Sequence, residues 1–290
     1  MKWMKNNSIL TKICEDAEIV KRNSKLSYYN ISASFDIETS SFYEGEEKRA
    51  CMYMWGCCID GYYFRGRTWQ EFLQLVNDII KAFNVTPKLR FVFYCHNLSY
   101  EMQWIKCYFK FIDVMANKKL KPIKCVCDTG IEFRCSYLLS GYSLQTLADV
   151  YLKGRVEKLV GDLDYSLIRH NTSYISEQEY GYLYNDIRIV YEYINDKIKG
   201  GEDIAHIPNT KTGYVRKLIK NNCLGGAPVR HMRMDIHHKK YRQTMQRLTI
   251  ESPEEYELLN RAFQGGFTHC SCMNQGVMFD DVASYDFTSS

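Results

Sequence analysis

Long apolar runs are missing from this sequence. No stretch of about 18 apolar residues occurs among its 290 residues, so no membrane-spanning helix is predicted. The N-terminal stretch Met1–Asn7 is also not followed by an apolar segment long enough for a secretion signal. These two absences favour the expectation that the protein is neither secreted nor embedded in a membrane.

Paired cysteine motifs are missing as well. The chain has 12 cysteines but no Cys-x-x-Cys pair, the spacing that most often marks a structural zinc site. The tightest spacings are Cys57-Cys58, Cys125-Val126-Cys127 and Cys270-Ser271-Cys272. Without a secretion signal, reduced thiols in a cytosol are predicted, and a zinc site stays an unsupported alternative. The sequence also shows no internal repeat and no low-complexity tract.

Positive charge is in small excess overall but is concentrated in one segment. The formal net charge is +4, yet residues 211–247 carry ten Lys and Arg against one acid, Asp235. We call this segment the basic window. Basic residues clustered in one segment suit a protein that holds the phosphate backbone of DNA. The residues predicted to contact DNA here are Lys217, Lys220, Arg230 and Arg233. The alternatives are a solvated pair of basic helices or a surface that faces a missing partner half.

The first motif with chemical content is a short strand with two acids. Side chains alternate between the faces of a strand, so Asp36 and Glu38 are predicted to share one face while Phe35 and Ile37 share the other. The alternative is an edge strand with a solvated acidic face.

The second motif follows a buried strand. The apolar run Arg90–Cys95 predicts that strand, and a helix is predicted to begin near Ser99. Polar groups at the end of a buried strand are where α/β folds tend to place ligands. The candidates here are Asn97, Tyr100 and Glu101. The alternative is that Asn97 caps the turn and that Glu101 favours a helix N-terminus.

The third motif lies on a predicted amphipathic helix over residues 177–199. Ser176 and Glu179 form a capping box before it, and apolar residues follow at helical spacing. Tyr182 and Asp186 are four residues apart, so they lie on one face. A Tyr hydroxyl beside a metal-bound Asp is placed to orient an attacking water. The alternative is an ordinary surface helix.

Together the three motifs supply the four carboxylates that a two-metal nuclease site needs: Asp36, Glu38, Glu101 and Asp186. Two divalent ions of this kind activate a water and stabilise the leaving oxygen. Hard cations such as Mg²⁺ or Mn²⁺ prefer oxygen ligands. Two Mg²⁺ or Mn²⁺ ions are therefore the predicted cofactors.

In this order, the motifs resemble those of the 3′–5′ proofreading exonuclease domain of family B DNA polymerases, in particular the protein-primed polymerases of bacteriophages. The resemblance implies an RNase H-like fold, with metal ligands on an Asp-x-Glu pair, an Asn-x-x-aromatic-Asp motif and a Tyr-x-x-x-Asp motif. It implies that Asn97 and Tyr100 contact the DNA 3′ end. The residues that match are Asp36 and Glu38, Asn97 and Tyr100, and Tyr182 and Asp186.

Two positions depart from the family pattern. The family's second-motif Asp is Glu101 here, which keeps the charge but moves the carboxylate outward by one methylene. The segment Leu159–Tyr165 resembles a Gly-Asp-x-Asp-Tyr segment in which the family carries a Lys that assists the phosphate. Val160 takes the place of that Lys, and the nearest lysine is Lys158, two residues earlier. Lys158 is either a DNA-phosphate contact or a solvated lysine.

The last 30 residues resemble the entrance to a polymerase palm. Phe263–Thr268 is similar to the family's Tyr-x-Gly-Gly motif, which implies DNA contacts at Gly265, Gly266 and Phe267. Paired glycines let a backbone approach DNA closely, although a plain turn is the alternative. Asp286 matches the first palm metal ligand. The expectation is an N-terminal fragment whose polymerase active site is incomplete.

The predicted organisation is a lead-in at 1–30, an RNase H-like exonuclease domain at 31–200, a basic DNA-binding connection at 201–260 and a truncated palm edge at 261–290. Hairpins are predicted around Asp60-Gly61 and around residues 128–130, and further helices over 69–83 and 144–152. The predicted fold class is α/β, a mixed sheet flanked by helices.

The predicted function is the exonuclease half of a viral replicative DNA polymerase, which hydrolyses single-stranded DNA 3′ ends in the cytoplasm of an infected host cell. The expected partners are DNA, both a single-stranded 3′ end and a template, a terminal protein primer and a missing C-terminal polymerase half. Polymerisation is not expected from this chain alone. The alternatives are a catalytically weak DNA-binding module and a free-standing 3′–5′ exonuclease.

Overall fold

A computed structural model of the chain describes residues 3–4, 8–118, 120–156, 158–159, 167–223, 239, 242–247, 249–250 and 252–262. The chain divides into two units, Met1–Leu218 and Ile219–Ser290. The first unit contains the sheet and every element discussed below except the end of α7 and the helix α8. Within the described residues, no helix is both long and apolar enough to cross a bilayer.

The strands are β1 (Trp3–Met4), β2 (Ile19–Asn23), β3 (Leu26–Tyr29), β4 (Ala33–Glu44), β5 (Glu47–Ile59), β6 (Tyr62–Gly66), β7 (Leu89–Cys95), β8 (Phe111–Lys118), β9 (Lys121–Cys127) and β10 (Ile131–Cys135). The helices are α1 (Ser8–Asp16), α2 (Trp69–Ala82), α3 (Leu98–Ile105), α4 (Ser136–Ser140), α5 (Leu144–Thr146), α6 (Glu177–Lys199), α7 (Lys211–Cys223) and α8 (Pro253–Ala262). A π-helical turn over Leu147–Tyr151 continues α5.

One mixed sheet of ten strands organises the first unit. Its main path runs β1-β6-β5-β4-β7-β10-β9-β8, and the β2–β3 hairpin joins it through a parallel pairing of β3 with β7. The strands β4, β5 and β6 form an antiparallel meander, whereas β7 pairs in parallel with both β4 and β10. The parallel strands β4, β7 and β10 form the centre, which is where buried strands are found in α/β folds.

Local sequence explains the tight connections. Asp60 and Gly61 both have positive φ, 48° and 80°, as a two-residue turn of the type that closes hairpins requires. Thr68 caps α2, and Glu71 completes the capping box, which ends the preceding loop at a fixed residue. The same device, with Ser176 and Glu179, begins α6 at the predicted position.

Alternation along the central strands divides the core between the two faces of the sheet. On one face, Phe35 of β4 stacks on Phe72 of α2 and contacts Phe93 of β7 and Phe133 of β10. The opposite face is covered by α6, against which Tyr94 and Val92 of β7 pack with Ile189 and Val190. Side chains of β4 that alternate with Phe35 and Ile37 therefore point toward α6 rather than into the aromatic core.

The structure differs from the predicted organisation at the N-terminus. Residues 8–29 form α1 and the β2–β3 hairpin, and Leu10 and Ile13 lie fully within the core cluster of the sheet. The segment predicted as a lead-in thus belongs to the same folded unit, because its apolar side chains cover the end of that core. The first unit also continues to Leu218, past the boundary predicted at residue 200.

Candidate active site

The strand β4 presents the first two acids toward α6. Asp36 pairs across the ladder with Gly56 of β5, and Glu38 pairs with Met54. Since Phe35 and Ile37 fill the aromatic core, the pleat directs Asp36 and Glu38 to the opposite face, as the sequence predicts. A register shift follows directly, between Glu38 and Thr39, so the acidic pair lies at the end of the regular part of the ladder.

Hydrogen bonds hold α6 close to this face of β4. The hydroxyls of Ser32 and Ser34 donate to the carbonyls of Tyr191 and Ile187, at 2.8 and 2.7 Å. A Cβ at Gly56 would lie only 2.9 Å from Leu183 of α6, so the absence of a side chain opposite Asp36 permits the close packing. Asp186, which precedes Ile187 on α6, is thereby brought to the same face as Asp36.

The third element is the first turn of α3, which follows the end of β7. Glu101 lies in that turn with only 3% of its surface exposed. Its carboxyl shares a hydrogen bond with the carboxyl of Asp36. The other oxygen, Oε2, is buried and has no hydrogen-bond partner. Glu101 therefore points into the cluster, and its longer side chain does reach Asp36.

The fourth acid is paired with a lysine. The Nζ of Lys158 lies 2.9 and 2.8 Å from the two carboxylate oxygens of Asp186. Both side chains are largely buried, at 27% and 16% exposure. Lys158 is therefore a member of the acidic cluster rather than a solvated lysine, although the sequence register placed it two residues away from the expected position.

Burial raises the pKa of all four acids of this cluster, and for three of them the charge of a neighbouring acid adds to the effect. Burial, followed by the charge of Asp186, raises the pKa of Asp36 from 3.8 to about 7. Burial, followed by the charge of Asp36, raises the pKa of Glu38 from 4.5 to about 8. Burial raises the pKa of Asp186 as well, against the lowering effect of Lys158. Glu101 follows the same pattern, since burial and the charge of Asp36 raise its pKa.

The predicted DNA-contacting residues of the second motif lie at the rim of the cluster. Asn97 is exposed at the start of α3 and makes no side-chain capping hydrogen bond. Its side chain therefore does not cap the helix, which was the alternative to DNA contact. Tyr100 is 41% exposed, and its hydroxyl hydrogen-bonds the hydroxyl of Thr39, next to Glu38. Tyr182 of α6 is buried, one helical turn before Asp186.

Two residues near the cluster, His96 and Arg169, were not among the site residues that the sequence motifs predicted. The Nε2 of His96 is buried without a hydrogen-bond partner, while its Nδ1 lies 3.1 Å from the hydroxyl of Ser136. Burial, with the positive charge of Lys158, lowers the pKa of His96 to about 4, so its imidazole is neutral. Arg169 forms an ion pair with Glu179, and its positive charge lowers the pKa of Glu38. The position of His96 at the end of a buried strand was the one available sequence signal.

Most of the remaining predicted site residues lie outside the described part of the chain. Lys217 lies exposed on α7, and Lys220 lies in the same helix. The residues outside the described part of the chain are Arg230, Arg233, Gly265, Gly266, Phe267 and Asp286.

The cluster fits a cation by the chemistry of its donors. Within the described residues, no three or more His, Cys, Asp or Glu side chains are grouped so that they could hold a metal ion as they stand. The donors are nevertheless oxygen ligands, and Oε2 of Glu101 is a buried acceptor without a donor. When ionised, four carboxyls beside one ammonium, from Lys158, have an excess of negative charge that divalent ions neutralise.

Comparison with solved structures relates this fold to a DNA polymerase. A structure of Phi29 DNA polymerase complexed with single-stranded DNA matches 68% of this chain with a TM-score of 0.51 and 18% identity. A ternary complex of Phi29 DNA polymerase with primer-template DNA and incoming nucleotide matches 68% of it with a TM-score of 0.50 and 16% identity. In each case, the chain spans about a third, 35%, of the polymerase. No protein-family model matches the sequence, and no curated protein matches it.

At this identity the likeness concerns the fold. The predicted α/β class, a mixed sheet flanked by helices, is confirmed by the sheet and by the matched part of Phi29 DNA polymerase, and the RNase H-like class is consistent with both. The fold is thus similar to the matched third of Phi29 DNA polymerase.

Proposed function

We propose that the first unit is a 3′–5′ exonuclease that hydrolyses single-stranded DNA 3′ ends with two divalent cations. The observation that carries the proposal is the meeting of acids from three separate elements, Asp36 and Glu38 on β4, Glu101 on α3 and Asp186 on α6. Glu101 is buried and the other three acids are half-buried, and a neighbouring carboxyl raises the pKa of Asp36, of Glu38 and of Glu101. Burying like charges is unfavourable unless a cation neutralises them.

The four carboxylates are the residues that would hold two Mg²⁺ or Mn²⁺ ions. When bound, such ions supply Lewis-acid activation of a water and stabilisation of the leaving oxygen in phosphodiester hydrolysis. The buried Oε2 of Glu101 is an acceptor suited to this use, since no protein donor satisfies it.

The chain's own side chains account for substrate placement. Asn97 and Tyr100 are exposed beside the acids, where an amide and an aromatic ring hold the terminal nucleotide by hydrogen bonding and stacking. Lys158 places a positive charge within the cluster, suited to a phosphate oxygen. The hydroxyl of Tyr182, one turn from Asp186, orients the attacking water by a hydrogen bond.

The test is degradation of a single-stranded oligonucleotide labelled at its 5′ end, with Mg²⁺ and with a chelator in its place. The parent chain should shorten the strand from its 3′ end only with the metal. Asp36→Asn keeps the shape of the side chain and removes its charge, and should reduce the rate by at least about 10²-fold, as is common when one catalytic group is lost.

Asp128→Asn is the matched control, because Asp128 is an exposed acid in the turn between β9 and β10. It should degrade DNA at the parental rate. A parent chain that leaves single-stranded DNA intact in Mg²⁺ and in Mn²⁺ contradicts the proposal, and so does an Asp36→Asn variant with the parental rate.

A second candidate function is a DNA-binding module with weak or no nuclease activity. One observation favours it, the contact of Lys158 with both oxygens of Asp186, which competes with a cation for that carboxylate. In that case, the oligonucleotide should bind equally well with Mg²⁺ and with chelator, and should remain intact in both.

We further propose, from the resemblance of the motifs and the polymerase-like fold, that this unit belongs to a replicative DNA polymerase of the protein-primed family B type. The partners of such an enzyme are primer-template DNA and a terminal protein primer. A pull-down of labelled primer-template DNA by the chain, compared with single-stranded DNA of the same length, tests the first of these partners.

A further inference from the structure

A basic groove lies in the first unit, apart from the acidic cluster. It consists of two neighbouring cavities of about 330 and 530 Å³. Met115 of β8 and Asn209, which precedes α7, line both cavities, so the two lie next to each other. The smaller cavity lies among β2, β3, β7, β8, β9, β10 and residues 205–209, and the larger lies between β8, α4 and the start of α7.

Cations dominate the lining of this groove. The basic residues that line it are Arg22, Arg90, Lys124, Arg134, Lys211 and Arg216. The acids that line it are Asp113 and Glu132. The groove thus has four positive charges in excess, as many as the formal net charge of the whole chain, +4.

The existing contacts leave that excess uncompensated. Glu132, fully buried, accepts hydrogen bonds from both Arg90 and Arg134, at 2.9 and 2.7 Å, so one carboxylate serves two guanidiniums. Asp113 pairs with Lys124 at 2.8 Å. Although burial raises the pKa of Glu132, the charge of Arg134 holds it below its ordinary value, so this carboxylate is ionised.

The other three cations have no acidic partner in the part of the chain that the structure describes. Arg22 donates to the carbonyl of Ala205, and Lys211 lies 4.5 Å from the ring centroid of Tyr142. Arg216 is exposed on α7, one turn beyond Lys211. Three charges with no counter-ion along one groove are the electrostatic complement of a polyanion.

The larger cavity combines this charge with an apolar floor. Met115, Ile123 and Leu138 supply the apolar surface, and Lys211 and Arg216 stand on the same cavity with the polar side chains of Thr210 and Thr212. A nucleotide has the same division into a flat ring and a charged phosphate. An acidic peptide, by contrast, has charged side chains but no flat ring to cover the apolar floor.

We propose that the basic groove binds the sugar-phosphate backbone of a single strand of DNA, with a base seated on Met115, Ile123 and Leu138. A single strand is the fitting form, because its bases are free to turn into a cavity, whereas those of a duplex are stacked and paired. The groove is a second binding surface. It does not depend on the exonuclease proposal, since it concerns binding without hydrolysis.

The groove also begins near the acidic cluster along the chain. Leu138 lies on α4, two residues after Ser136, and the hydroxyl of Ser136 contacts His96 beside Asn97. The expected role of the groove is to retain the DNA strand while the 3′ end of that strand lies at the acidic cluster.

The test is fluorescence anisotropy of a labelled oligo(dT) strand of about 20 nucleotides in a chelating buffer, which prevents hydrolysis. For single strands, the slope of log affinity against log salt is about −0.7 per phosphate contact. The double variant Lys211→Gln with Arg216→Gln should therefore lose about 1.4 from this slope and about 25-fold in affinity at 0.1 M salt.

The matched control is Lys81→Gln with Lys88→Gln, which removes the same charge from exposed residues of α2 and the following loop. It should keep the parental slope. Equal slopes and affinities for the groove variant and the control overturn the proposal. A strand displaced as readily by polyglutamate as by unlabelled DNA, at equal charge, also overturns it in favour of an acidic protein partner.

A second measurement needs no variant, so it does not depend on the variants folding. Lysines of the parent chain are acetylated with and without oligo(dT), and each site is quantified by mass spectrometry. DNA should protect Lys211 several-fold and leave Lys81 and Lys88 unprotected. Equal modification of all three lysines in both conditions contradicts the proposal.

Discussion

The acidic cluster should make the metal-free protein less stable as the pH rises, and Asp36 offers the clearest measure of this effect. Its pKa in the folded chain is raised to about 7 from 3.8. Below pH 3.8 the carboxyl is protonated in both the folded and the unfolded chain. Between the two pKa values, only the unfolded chain releases the proton, so the free energy of unfolding falls as the pH rises. Above pH 7 both states are ionised and the penalty is constant.

The magnitude follows from the size of the shift. A shift of about three pKa units corresponds to about 4 kcal/mol at 1.36 kcal/mol per unit. The parent chain should therefore lose up to about 4 kcal/mol between pH 4 and pH 8 through Asp36 alone. Asp36→Asn has the same shape and no titration, so its unfolding free energy should fall by about 4 kcal/mol less over this range.

Urea unfolding, followed by tryptophan fluorescence in a chelating buffer at each pH unit from 4 to 8, measures the effect. Adding Mg²⁺ at pH 8 should stabilise the parent, since an ion at 100 times its dissociation constant contributes about 2.7 kcal/mol. The same addition should have a smaller effect on Asp36→Asn. Asp128→Asn should follow the parent throughout. Parallel pH curves for Asp36→Asn and the parent would show that the acids are not buried together, and would refute the reasoning.

Four further outcomes are expected. Glu101→Ala should abolish Mg²⁺-dependent degradation of single-stranded DNA. Glu101→Asp should keep part of the activity, because it retains the charge and shortens the side chain by one methylene. Equal rates for Glu101→Ala and the parent would show that Glu101 is only an acid at the start of a helix. Lys158→Ala should weaken degradation and raise the pKa of Asp186 further, which NMR titration of the carboxyl carbon can follow. Glu132→Gln should destabilise the fold by about 3–5 kcal/mol in urea, because it breaks a buried ion pair and leaves Arg134 without its carboxylate. Neutralising the four basic-window residues predicted to contact DNA should flatten the salt dependence of binding, and an unchanged slope would leave them a solvated face.

Local patterns predicted those parts of the fold that are determined by local physics. Alternation along β4 placed Asp36 and Glu38 on one face, and the capping box at Ser176 set the first residue of α6, Glu177. The turn at Asp60-Gly61 followed from the residues that tolerate positive φ. Each of these features depends on neighbours within a few positions, so the sequence contains all the information that they require.

Features that depend on distant partners were not predictable in the same way. The segment that forms β2 and β3 was predicted to be a polar lead-in. Strand β2 is mostly exposed, and the hairpin joins the sheet through the pairing of β3 with β7, which is about 60 residues away in sequence and therefore not visible in local patterns. Glu132 and Arg134 look like an ordinary charged pair on β10. They are buried because Tyr28, Tyr94 and the carbonyl of Ile204 surround them.

Lys158 is the clearest case of a side chain whose contacts cannot be predicted by counting residues from a motif. Counting residues from a motif assigns a role only if the backbone between them keeps its path, and two residues of offset change the direction in which a side chain points. The contact of Lys158 with both oxygens of Asp186 does not depend on that count, because a long and flexible side chain reaches its partner from more than one backbone position. The cluster thus receives its positive charge from a residue that the motif register alone did not predict.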